Sequence, residues 1–334
     1  MNKFTLDAFL LKRREPLLSY KVYEYNFDEM IEGFDIVRQT LSVPLAELNS
    51  IPLYNLIMPL EQRAFDSLSF LLNCYSGGHN IVEIKAIYPT VISYWISYVE
   101  KWVDYQKSDQ CSNNTVAAIP LLDTDFVNAN QLICFGILLG WGAELRHIPP
   151  IIDFNNTRRD GMLERLLAPY IPGREEPPNE STRHLPYFKT LKIFSAPPEL
   201  RAEMMKDYLK DWYHASRRER YHNSHKKGTS FKGYWAWEAA AITYLLDIDD
   251  SFYRDAEFYP ADLVAFARSI DAPRSSEAKL EDQELRIKSG QACPKSGTWE
   301  TLDIPLQQRK FAVGEIMQAE NASYGITVWR YIGD

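Results

Sequence analysis

The chain has 334 residues, 46% of them hydrophobic and 25% charged, which is the balance of a protein that buries a core and excludes a disordered chain. Its 45 acidic residues outnumber its 37 Lys and Arg, and the net charge of −8 excludes binding to bulk nucleic acid or to an anionic membrane through the overall field. The length allows about two domains with a small extra module.

From the N-terminus, Asp7 and Lys12-Arg13-Arg14 leave no apolar leader segment, so no secretory signal is expected. Residues up to about 115 read as helices. The clearest runs from about Ile84 to Gln106, where Tyr88, Val91, Ile92, Trp95, Tyr98, Val99, Trp102 and Tyr105 recur at spacings of three and four. That is one wide apolar face, and it predicts that Trp95 and Trp102 point to the core. Pro89 either kinks this helix or marks its first turn. The polar stretch 106–120 is a domain boundary and closes an N-terminal helical domain at 1–118.

A second helical domain is expected over 119–272. Leu132–Trp141 is apolar nearly all round and predicts a central, buried helix. At about 10 residues, it falls short of the roughly 20 a membrane span needs. Five prolines and glycines over 172–187 read as a loop. Pro197-Pro198-Glu199 starts a helix whose apolar face is Leu200, Met204, Tyr208, Leu209, Trp212 and Tyr213. Another helix is expected from Gly233 to about Leu246, its three alanines (239–241) permitting close helix packing, and another from Tyr259 to about Ser269. The charged stretch 272–291 reads as a linker. Gly297–Thr301 and Gly325–Ile332 alternate β-branched and aromatic residues with polar ones, which predicts a small β module at 285–334. The fold class is therefore mainly α, two helical blocks followed by a β-rich module.

The chain holds no dinucleotide, P-loop, nucleophile-elbow or zinc-protease motif. Cys74, Cys111, Cys134 and Cys293 are scattered without a CxxC and read as reduced thiols of a cytoplasmic protein. His214, His222 and His225 match no tight ligand spacing. Asp247, Asp249, Asp250, Asp255 and Glu257 are the densest carboxylate cluster. They are compatible with a solvated loop, with hard-cation binding through oxygen, or with a surface for a basic protein; the glycine and ligand order of a calcium loop are missing. The segment Glu238–Asp262 carries seven acids against one base, whereas Arg201–Lys232 carries nine bases against four acids. Such polarity steers charged partners. The basic residues Arg217, Arg218, Arg220, Lys226 and Lys227 leave direct nucleic-acid contact as a minor alternative.

The motifs Tyr208-Leu209-x-x-Trp212-Tyr213, Tyr234-Trp235-x-x-Glu238-Ala239-Ala240-Ala241, Leu246-x-Ile248-Asp249-Asp250-Ser251, Tyr253-Arg254-Asp255 and Tyr259-Pro260-x-Asp262-Leu263-Val264 follow one another in the chain. Together they resemble the C-terminal domain of PoNi-like immunity proteins, the cognate inhibitors of polymorphic nuclease toxins. The likeness extends more diffusely over residues 10–270. The run Cys293-Pro294-x-Ser296-Gly297-x-Trp299-Glu300 resembles a short module of other bacterial immunity proteins and departs from the common two-domain form. The resemblance implies a non-catalytic helical scaffold without cofactor or metal. Its expected partner is a cognate nuclease effector of contact-dependent or type VI secretion, with no membrane or direct nucleic-acid partner, and it acts as a monomer or homodimer. The resemblance does not say which residues touch the toxin; the local charge assigns Asp247, Asp249, Asp250, Asp255 and Glu257 to toxin binding, and the motif residues Tyr234, Trp235, Glu238, Tyr259, Pro260 and Asp262 are read as structural. The alternative is a metal-dependent helical enzyme built on Asp249, Asp250, Asp255 and Glu257.

Overall fold

The computed structural model describes residues 1–41, 51–111, 116–270, 286–301, 307–319 and 327–333. It is mainly helical to residue 269 and ends in a small antiparallel sheet. The residues group into two units. The first comprises Met1–Asp28, Leu68–Tyr88 and Asn114–Ala278, and the second Glu29–Ser67, Pro89–Asn113 and Lys279–Asp334. After the short α1 (Leu6–Lys12), three long helices each contribute a segment to both units: α2 (Tyr20–Leu41), α3 (Leu53–Gly77) and α4 (Ile81–Lys107).

In the first unit α5 (Phe126–Leu138) is central, and Leu132–Leu139 are all buried. Gly140 and Trp141 lie past its end and are partly exposed. A side chain at Gly136 would sit 2.5 Å from the Tyr88 hydroxyl, which donates to the Leu132 carbonyl at 2.7 Å. After α6 (Ile148–Asp153), Asp160 caps α7 (Gly161–Leu167). One of its oxygens accepts from Met162 N and Leu163 N, and the other ties Ser181 and Thr182 of the following loop. Glu164 of α7 is buried against Arg159 and Arg174, and Arg174 also grips Asp153. The proline-rich stretch is thus a pinned loop leading into the short α8 (Thr190–Ser195).

Helix α9 (Pro198–Ala215) starts with proline in its first turn, as the sequence predicts. Its buried face is Met205, Tyr208, Leu209 and Trp212. Leu200, expected on that face, is 48% exposed because it lies in the first turn, short of the core contact. Helix α10 spans Trp237–Leu245, not Gly233–Leu246. Gly233 has φ +100° and Ala236 N donates to the Phe258 carbonyl, so residues 233–236 run as an irregular lead-in. Ala239, Ala240 and Ala241 are fully buried where α10 packs on α5, and their small side chains permit that approach. Helix α11 (Ala261–Ser269) closes the unit.

In the second unit, Phe65 packs on Trp95 with ring centroids 4.9 Å apart, the Arg63 guanidinium lies 3.5 Å from the Tyr94 ring, and Tyr98 donates to Glu61. All eight residues of the α4 stripe are buried, including Trp95 and Trp102. Pro89 lies well inside α4 rather than in its first turn. The C-terminal module is four strands, β1 (Arg286–Lys288), β2 (Gly297–Thr301), β3 (Gln308–Phe311) and β4 (Val328–Gly333), in the order β1-β4-β2-β3. Trp299 and Trp329, both fully buried, build its core with Cys293, Phe311 and Met317. On the opposite face Glu300 stands directly across from Arg330 and accepts from it at 2.5 Å. Most of the linker read at 272–291, the centre of the 106–120 boundary (112–115) and the first residues of the strand read at 325–332 lie outside the described residues.

Candidate functional site

The five acids of the cluster sit on the loop between α10 and α11, within the first unit. Asp247, Asp249, Asp255 and Glu257 are exposed, as a binding surface requires. Asp250 is different. It is 1% exposed, and its carboxylate accepts from Arg254 at 2.6 Å, from Arg268 at 3.0 Å and from the Tyr259 hydroxyl at 3.3 Å. Burial alone would raise this carboxyl, but the two arginines outweigh it and hold it below the usual carboxylate range. Asp250 is therefore a pin that shapes the loop and is withdrawn from the acidic surface. Its partners explain the correction: Arg254 follows in the same loop and Arg268 reaches back from α11, also donating to the Ile248 carbonyl.

Local chemistry sets the rest of the loop. Asp249 accepts from the backbone N and hydroxyl of Ser251, forming a short side-chain turn. Asp247 and Phe258 have positive φ, which reverses the chain at each end. Between them, Phe252 is 71% exposed among the acids, an apolar residue that the sequence reading passed over.

The motif residues assigned a structural role all lie in the first unit. Tyr234 is buried, and its hydroxyl meets His225 at both the backbone N and, at 2.7 Å, the ring Nδ1. Its own backbone N donates to Glu15, a buried carboxylate from the start of the chain. Trp235 donates to Ser76 and packs edge-on to Tyr75. Tyr259 and Pro260 are buried, and Asp262 accepts from Arg14 and from the Tyr75 hydroxyl. Arg14 also donates to the carbonyls of Tyr75 and His79. Glu15, Arg14 and Tyr75 carry this framework and were missed, because their partners lie far away in sequence.

Glu238, 1% exposed, accepts from the Tyr208 hydroxyl at 2.6 Å, the Trp212 indole at 2.7 Å and Asn130 at 3.0 Å. Burial pushes its carboxyl up, and those donors pull it part of the way back. Trp235 precedes α10, so its three-residue spacing from Glu238 does not place the two on one helix side. Both nevertheless line one narrow pocket.

Among the described residues no group of three or more His, Cys, Asp or Glu is placed to hold a metal. His222 stacks on Tyr213 and His225 is engaged with Tyr234. Cys74, Cys111, Cys134 and Cys293 are not joined in disulfides, and Cys74, Cys134 and Cys293 are buried. No described helix is long and apolar enough to cross a membrane.

Residues 158–263 match the family of PoNe immunity proteins (PoNi), C-terminal domain. The matched segment holds the acidic loop, Asp250 and Glu238. No curated protein sequence matches the chain. Among solved structures, the crystal structure of protein PA2201 from Pseudomonas aeruginosa is similar over 80% of this chain and 100% of that one, with 21% identity and a TM-score of 0.66. At that identity the likeness concerns the fold.

Proposed function

With a PoNi C-terminal domain at residues 158–263, we propose that the chain is a non-catalytic immunity protein. It binds and neutralises a cognate PoNe-type nuclease toxin, delivered by type VI or contact-dependent secretion, in the cytoplasm of the producing bacterium and its kin. Residues 119–272 act as the immunity domain. The observation that carries this reading is the family match.

The geometry supports a role for the loop between α10 and α11. A nuclease attracts phosphates and so presents positive charge, and four exposed carboxylates around an exposed Phe252 complement such a surface. An exposed aromatic ringed by charge has the composition of an interface anchor. The alternative of a metal-dependent enzyme on Asp249, Asp250, Asp255 and Glu257 loses support, because two arginines already neutralise Asp250.

The test is co-expression with a PoNe-type nuclease toxin, the product of the neighbouring gene tried first, followed by purification of the pair in the presence of EDTA. Rescue of growth and a chelator-resistant complex are expected. Unimpeded killing, or a complex that needs a divalent ion, overturns the reading.

A further inference from the structure

Glu238 is one of the buried acids of the first unit that the proposed function leaves unused. Besides the backbone N–H groups in the first turn of α10, its hydrogen-bond partners are Tyr208, Trp212 and Asn130, all of them neutral. A carboxylate taken out of water into such a site has no counterion, an expensive state that either protonation or a cation beside it relieves.

Glu238 lines a pocket of about 40 Å³ whose walls include Tyr187, Trp212, Tyr221, Trp235 and Trp237. Tyr187, Trp212 and Trp237 are buried, whereas Trp235 and Tyr221 are partly exposed and form the mouth. Trp212 and Tyr221 are stacked with centroids 5.5 Å apart, and Trp235 and Trp237 lie 6.0 Å apart. Gly233 also lines the pocket. A side chain there would meet Ser76 and the Trp235 indole at 2.5 Å or less, so the glycine keeps Trp235 in place.

We infer that this pocket is a binding site for an alkylammonium group, with Glu238 as the counterion at its floor and the tryptophan and tyrosine rings as its walls. Aromatic faces attract cations, most strongly where water is excluded. The volume exceeds the roughly 10–15 Å³ needed to admit one water but is too small for a drug-sized ligand, so only a head group enters. An anion would be repelled by Glu238. A calcium-like ion would find one carboxylate where about six oxygens are needed. A neutral group would leave the buried charge uncompensated. The raised carboxyl of Glu238 agrees with a site that lacks its cation. The inference stands apart from the toxin-binding reading of the acidic loop.

The ammonium has two sources, a free amine or the tip of a lysine side chain, and the test separates them. The intact protein is titrated at constant ionic strength with n-butylammonium, with Nα-acetyl-lysine amide and with neutral 1-butanol, following tryptophan fluorescence. Butylammonium should give a saturable change with a Kd on the order of 1 mM. Butanol should bind at least about tenfold more weakly, and Glu238→Gln should weaken butylammonium by about tenfold or more. Equal binding by acetyl-lysine amide assigns the pocket to a lysine side chain, and binding of the free amine alone assigns it to a soluble amine. Should Glu238→Gln fail to fold, Trp235→Leu at the mouth takes its place and must weaken butylammonium more than butanol. Absence of saturable binding, equal binding of butanol, or full binding in the folded variant overturns the inference.

Discussion

Replacing Asp250 by Asn keeps the shape of the side chain and removes the charge on which the α10–α11 loop is pinned. In the native protein Asp250 is 1% exposed and its carboxylate takes hydrogen bonds from Arg254 at 2.6 Å and Arg268 at 3.0 Å. Removing one member of a deeply buried ion pair costs about 3–5 kcal/mol. Here the site is shallow: Arg254 is 58% exposed and re-solvates readily, while Arg268, at 27%, does so only in part. The expected cost is therefore about 2–3 kcal/mol, mainly from stranding Arg268. For a cooperative unit of roughly 200 residues this lowers the melting temperature by about 5–10 °C. Circular dichroism melts of wild type and Asp250→Asn at neutral pH measure it. The pH dependence follows from the depressed carboxyl. An unfolded aspartate titrates near 4, so the native contribution is fully present above about pH 4 and is lost as pH falls through the lower folded value. The two proteins should converge only in strong acid. A melting difference under about 1 °C at neutral pH, or a gap that persists unchanged into acid, would refute the pin.

Burial, aided by the N-terminal amine, Arg14 and Lys12, pushes His79 down to about 4. The unfolded chain then takes up this proton first. Melting temperatures should fall as pH drops from about 6.5 toward 4, and His79→Gln should flatten that slope. Phe252→Ala should leave the melt unchanged within about 0.5 kcal/mol, because the ring is exposed, while weakening the toxin complex by at least about 1 kcal/mol in titration calorimetry. Reversing Asp247, Asp249, Asp255 and Glu257 to Lys should slow association in stopped-flow mixing at low salt and do so less at 1 M, where the Debye length is about 3 Å. Trp299→Ala should cost the sheet about 3–5 kcal/mol, seen as earlier urea unfolding, since that ring is fully buried in the module's core.

The helical class was legible because its signal is local. Eight residues of α4 repeat at the helical period, and all eight are buried. The sheet was legible from Gly297–Thr301, where Trp299 and Thr301 are buried on one face. Asp250 was not legible as a pin. Its neighbour Asp249 is chemically identical and exposed, and the deciding partner, Arg268, is 18 residues away on another helix. The start of α10 was not legible for a related reason: the run from Gly233 reads as helix, but Gly233 has a positive φ and the helix begins only at Trp237. Glu15, Arg14 and Tyr75 depend on contacts from distant parts of the chain, which no local pattern encodes.

The strands of the terminal module are three to six residues long, too short for backbone pairing alone to choose among alignments. Side chains on both faces make the choice. Shifting β4 by one position against β2 would turn Trp329 out of the apolar cluster and, in the same movement, carry Arg330 away from Glu300. A misaligned sheet is thus penalised twice, by exposed tryptophan on one side and by an orphaned charge on the other. A variant with both Glu300 and Arg330 replaced by threonine would keep the strands' β-forming character but lose one of these two checks. Slipped pairings would then compete with the native one during folding.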